Sequence, residues 1–145
     1  MIISFLIDGI ISKYAPYSIL SLIYLFFLKS KNSKKYYIIS FSIGLLFDYF
    51  YSGTLLYNSF IFLETAFLIK KLKIKLTKNI KNYLLIVVLI VINYYTISFL
   101  ILSLVKYISF DYERYFNILI NSLELNIVSS IIMYLIYAKK HKINW

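Results

Sequence analysis

Three carboxylates, Asp48, Glu64 and Glu124, sit inside long apolar runs, and Asp8 sits inside a shorter one. An ionised carboxylate at the centre of a bilayer costs at least about 2.5–3.5 kcal/mol, so each acid needs a bundle interior, water or a partner to face. No Lys or Arg lies within the four long apolar blocks to pair with them. Two chemistries stay open. The acids are protonated by desolvation, or they accept hydrogen bonds from Asn, Ser, Thr and Tyr. The second makes them polar clasps between helices, and it is the favoured reading. A proton or cation path needs paired acids or His on facing helices, and the spacing shows no such pair.

Spacing groups the polar residues into faces. Ser40, Gly44 and Asp48 recur every four residues and share one face of a helix. Small residues at i and i+4 let a second helix approach closely, and Asp48 can then bond across the contact. On that reading Asp48→Asn keeps the clasp, because an amide retains an acceptor. In the last apolar block Asn117, Asn121 and Glu124 line one face, while Ser122, Asn126 and Ser129 lie round on the other. Two polar stripes imply contacts on two sides. The candidate partner-contact or packing residues are therefore Ser40, Gly44, Asp48, Gly53, Glu64, Asn117, Asn121, Glu124 and Asn126.

Enzyme chemistry finds no footing. The single His, His141, lies in a basic tail, so there is no Ser-His-Asp set and no multi-His metal site. Cys is absent, which removes thiolate nucleophiles, thiolate ligands and disulfides. Neither H-E-x-x-H nor a phosphate-cradling Gly-rich loop occurs. No catalytic residue, metal or cofactor is expected.

The elements that carry these residues follow from composition. Hydrophobic residues make up 61% of the 145 and charged ones 15%, against roughly 45–50% and 25% in soluble domains. So small a chain cannot hide that much apolar surface in water. It reads as one integral membrane domain, 1–145, all-α. Apolar runs cover 16–28, 36–69, 83–105 and 115–138, with a shorter one at 2–12. A span needs about 20 residues. Block 36–69 is too long for one helix and has Ser52-Gly53 at its middle, so it is read as a hairpin, 36–50 and 55–69. The expected architecture is five full spans plus a short N-terminal helix. Residues 2–12 form either a sixth helix or an extension of 16–28.

Charge orients the bundle. Of 16 basic residues, 13 lie in 29–35, 70–81 and the tail after Ala138, which the hairpin puts on one side. The positive-inside rule assigns that side, and the C-terminus, to the cytoplasm. Loops 51–54 and 106–114 go outside. The net charge of +10 is thus accounted for by topology, without a nucleic-acid partner.

The stretch from Phe41 to Leu56, with Gly44 and Asp48 followed by Ser52-Gly53 and a second apolar run, resembles the signature of the MreD family of rod shape-determining proteins. In that family a G-x-x-x-D helix end precedes a small-residue turn and another helix. Ala15-Pro16-Tyr17 is similar to the family's Arg-Pro stretch, without the Arg. The final helix with Asn126 ahead of a basic tail resembles its last span, so the likeness covers about 15–140. The resemblance implies a non-catalytic, multi-pass protein of the bacterial cytoplasmic membrane. It further implies work beside a single-pass MreC-type protein, MreB and the peptidoglycan-synthesising enzymes of lateral wall growth. The implied fold has six helices and is similar to substrate-binding subunits of energy-coupling-factor vitamin transporters. Such a subunit is the alternative reading. Those subunits dock through an Ala-x-x-x-Ala face, and the three Ala here (Ala15, Ala66, Ala138) are not so spaced.

Overall fold

The computed structural model describes residues 19–27, 33–52, 56–75, 80–106, 108–109 and 111–141. The run 2–12, Asp8, Pro16 and the Gly53 turn lie outside the described residues. Among those described there are five α-helices and no strand. α1 is Leu20–Tyr24, continued by a 3₁₀ turn at Leu25–Phe27. α2 is Ser33–Phe47, continued by a π-helical turn at Asp48–Ser52. α3 is Tyr57–Lys75, α4 is Ile80–Leu104 and α5 is Tyr112–His141.

Local chemistry sets several of these ends. Asp111 starts α5 as its N-cap, its Oδ1 accepting the N–H groups of Glu113 (3.0 Å) and Arg114 (3.4 Å). α4 stops at Lys106, which turns left-handed with φ 58°. Its N–H bonds back to the Ser103 carbonyl at 3.0 Å, in the manner of a helix C-terminus that ordinarily uses Gly.

The buried faces follow helical periodicity. On α4, Tyr83, Ile86, Val87, Ile90, Val91 and Tyr94 point inward at spacings of three and four. α2 and α3 pack as an antiparallel hairpin: Asp48 at the end of α2 meets Asn58 at the start of α3. At the other end, Lys70 Nζ donates to Ser33 Oγ. α4 lies against α3, and α5 against α4, where Tyr83 stacks on Tyr134 with centroids 5.0 Å apart. α1 sits deepest. Leu20, Ser21, Leu22 and Ile23 are all buried.

The core is largely apolar, but it also takes in many polar side chains while large apolar ones cover the outside. Inside are Ser40, Asp48, Asn58, Ser59, Thr65, Ser122, Asn126 and Ser130; outside are Ile38, Phe60, Phe67, Leu100, Ile120, Val128 and Ile132, among others. An exposed apolar surface this extensive marks contact with a membrane rather than with water.

Among the described residues two helices, Ile80–Leu104 and Tyr112–Ile136, are long and apolar enough to cross a membrane by themselves; five full spans plus a short helix are not confirmed. The 36–69 block divides unevenly. α2 takes 15 residues before its backbone shifts to a π turn. α3 has 19 residues but spends its last turns on lysines. The π turn runs through Ser52, and Gly53 of the expected Ser52-Gly53 turn lies outside the described residues. Among the described residues of the 16–28 run, α-helix covers Leu20–Tyr24. Two side chains from other helices serve the backbone there: Tyr36 Oη donates to the Leu25 carbonyl, and Asn126 accepts from the Ile19 N–H.

Candidate functional site

The G-x-x-x-D pattern resolves into a helix clasp. α3 opens with Leu56, Tyr57, Asn58 and Ser59. The residue in the N-cap position is Leu56, held left-handed at φ 66°. Leu has no oxygen to accept the first N–H groups of the helix, so the acceptor must come from elsewhere. Asp48 supplies it. Its Oδ1 accepts the N–H of Asn58 (2.9 Å) and the Asn58 side-chain amide (2.9 Å). Its Oδ2 accepts the N–H of Ser59 (3.1 Å) and the Ser59 hydroxyl (3.0 Å). Tyr94 of α4 donates its hydroxyl to Asn58 Oδ1 at 2.7 Å, so a third helix joins the network.

The carboxylate thus sits at the positive end of the α3 dipole with two donors on each oxygen. This is the second of the two chemistries left open by the sequence: hydrogen-bond donors hold the acid. Gly44, one turn before Asp48, makes the contact possible. A Cβ there would lie 2.5 Å from Ser59 Cα and 2.9 Å from both the Ser59 nitrogen and the Asn58 carbonyl oxygen. Backbone cannot yield as a flexible side chain can, so only Gly fits. Ser40, a turn further back, is buried and satisfied within its own helix, its hydroxyl donating to the Tyr36 carbonyl at 2.9 Å. Ser40, Gly44 and Asp48 therefore form one internal face of α2.

Glu64 lies on the exposed side of α3 and accepts from Asn93 Nδ2 of α4 at 2.6 Å. The same amide reaches Thr65 Oγ1 at 3.5 Å. Asn126 is fully buried on α5. Its amide donates to the Ser122 carbonyl at 2.7 Å, leaving Oδ1 to accept the Ile19 N–H at 3.0 Å. Ser130 Oγ donates to the Asn126 carbonyl one turn on. The inner seam of α5 is thus Ser122, Asn126 and Ser130, with Ser129 half-buried beside it.

Asn117, Asn121 and Glu124 lie on the opposite, exposed face of α5. At the N-terminal end of α5 that face opens into a shallow cleft of about 440 Å³ lined by Asp111, Glu113, Arg114, Asn117, Ile118 and Asn121. The structure therefore separates the candidate residues into three places: the α2–α3 clasp, the α3–α4 and α1–α5 ties, and an uncovered polar stripe. Sequence reasoning missed Asn58, Ser59, Asn93 and Tyr94. A signal for the first two exists, since a helix entered through Leu must borrow its cap.

Neither a curated protein nor a solved structure matches the chain. The family model for rod shape-determining protein MreD matches residues 1–140, nearly the whole length. That match takes in the Gly44–Asp48 clasp, the Asn126 tie and the apolar helices alike, and it gives no support to a transporter subunit. The chain belongs to the MreD family of rod shape-determining proteins.

Proposed function

We propose that this protein is a non-catalytic, multi-pass scaffold of the lateral wall-elongation machinery, holding a single-pass partner of the MreC type against the outer stripe of α5. One observation carries the reading. Buried Ser40, Asp48, Asn58, Ser59, Thr65, Ser122, Asn126 and Ser130 have hydrogen-bond partners within the bundle, whereas Asn117, Asn121 and Glu124 stand exposed on a helix whose neighbouring outward residues are Phe116, Ile120 and Val128. Polar groups facing hydrocarbon are costly, and a partner helix relieves that cost by accepting or donating hydrogen bonds. The cleft at Asp111 and Arg114 continues the stripe toward the membrane surface and suits polar groups at the partner's outer end.

In this reading α2 and α3 complete the hairpin across the membrane, the Lys-rich loops and the C-terminus face the cytoplasm, and 51–54 and 106–114 face outward. MreB and the wall-synthesis enzymes act with the protein through that assembly. Gly44 and Asp48 hold the fold and do not touch the partner.

Affinity purification from native membranes tests this. A single-pass partner of the MreC type should co-purify, and depletion should round rod-shaped cells. Asn117→Leu with Asn121→Leu should lose the partner at unchanged expression. Full partner recovery by that variant would refute the α5 contact, and a co-purifying vitamin with an ATPase module would refute the scaffold role.

A further inference from the structure

We infer that the Glu64–Asn93 pair, on the outer side of α3 and α4, is a second intramembrane docking site, taken by a transmembrane helix that carries a basic side chain at mid-depth. The inference rests on α3 and α4 crossing the membrane, as proposed above, and not on the α5 contact.

Asp48 and Glu64 are the two carboxylates of the 36–69 block, and the fold treats them differently. Asp48 is buried with two donors on each oxygen. Glu64 is exposed and receives one donor, Asn93 Nδ2, at 2.6 Å from its Oε2. Asn93 spends that same amide nitrogen on Glu64 and, at 3.5 Å, on Thr65 Oγ1. Two oxygens are left over. Glu64 Oε1 and Asn93 Oδ1 have no hydrogen-bond partner among the described residues.

Depth makes this arrangement costly. Asn93 lies one residue past the midpoint of the 25-residue α4, which puts the pair near the bilayer centre. Phe60 and Phe67, a turn to either side of Glu64, are exposed, as is Leu89, a turn before Asn93. The pair therefore faces hydrocarbon, and no Lys or Arg within the long apolar blocks supplies a counter-charge. An acid so placed calls for a partner.

The unmet chemistry selects the occupant. Both free oxygens accept and neither donates, so a second copy presenting the same face would set acceptor against acceptor. One carboxylate oxygen and one amide oxygen fall short of the shell of about six oxygens that Ca²⁺ or Mg²⁺ takes. No group of three metal-ligating side chains stands among the described residues either. Acyl chains bring no donor to this depth. A basic side chain on a helix does, and the fork of N–H groups on a guanidinium suits acceptors on two neighbouring residues.

The test uses the full chain, labelled at Ser33→Cys and reconstituted in phosphatidylcholine vesicles. Energy transfer is read to two polyleucine transmembrane peptides, one with a central Arg and one without. The Arg peptide should associate more tightly by about fivefold or more. Glu64→Gln keeps an acceptor for Asn93 and removes the charge, so it should bring the two peptides near parity with helicity unchanged. Equal association of both peptides with the unaltered protein, or an undiminished preference in Glu64→Gln, overturns the inference. Self-association of the chain that falls in Glu64→Gln would give the face to a second copy and overturn it as well. A fluorophore at Phe67→Cys should be quenched by nitroxides deep in the acyl chains; quenching from the surface alone would overturn the membrane placement and this inference with it. Recovery of the α5 partner should survive Glu64→Gln, and its failure in the unaltered protein would strike the scaffold reading and not this one.

Discussion

At Asp48 two donors reach each oxygen of one carboxylate, and two of the four are backbone N–H groups that α3 has no other means to satisfy. Asp48→Leu leaves those groups orphaned and should cost about 2–3 kcal/mol. Asp48→Asn should fall between Leu and the native residue. Its oxygen still serves one pair of donors, but its NH2 then meets the donors of the other, so the clasp is kept only in part. Gly44→Ala should cost about 1–3 kcal/mol through overpacking against Ser59 backbone. Thermal midpoints of the purified variants in detergent check the order; equal stability of Gly44→Ala and native protein would contradict the close contact. Part of this was legible in advance. The i, i+4, i+8 spacing put Ser40, Gly44 and Asp48 on one face, and small residues implied close approach. The identity of the opposing group was not legible, because tertiary contact decides it: Asn58 and Ser59 became donors only through the hairpin, and Tyr94 only through the docking of α4.

On α5 two polar stripes lead different lives. Asn126 is buried and caps the chain entering α1 by accepting the Ile19 N–H, whereas Asn121 is exposed, five residues earlier. The two should separate cleanly on substitution. Asn126→Leu should lower stability by about 1–3 kcal/mol, since a buried N–H loses its acceptor. Asn121→Leu should leave stability within about 0.5 kcal/mol, as surface changes do, and should weaken partner recovery. Thermal melts beside pull-downs read both. Helical periodicity made the two stripes visible in the sequence, although it pointed to Ser129 where the seam uses Ser130. A one-residue shift is 100° on a helix, and hydropathy cannot fix the rotation when Ser flanks Ser. Element lengths were harder. Within the 16–28 run the described residues place α-helix at Leu20–Tyr24 and a 3₁₀ turn at Leu25–Phe27, with Tyr36 and Asn126 bonding to the backbone there, contacts that hydropathy does not reveal.

For the whole molecule, an apolar core threaded with hydrogen-bonded polar side chains, beneath a surface rich in large apolar ones, describes a bundle built for lipid. Composition and loop charge were sufficient to foresee this, because both are set by solvent and not by any single contact. The hairpin reading places Ser33 and Asp111 on opposite sides of the membrane. Cysteine labelling from each side should reach one position only, and labelling of both from the same side would contradict the topology. In the proposed arrangement Asn117 and Asn121 on α5 hold the partner while the Gly44–Asp48 clasp stays internal. The most direct measurement is photo-cross-linking in living cells, with a benzophenone amino acid placed at Asn117 or Asn121. Phe60 and Phe67 of α3, both 60% exposed, serve as comparison positions on the remaining surface. The α5 probes should give a single product containing the single-pass partner, and the α3 probes should give none containing it. A partner product from Phe60 or Phe67 alone, with none from α5, would contradict the account.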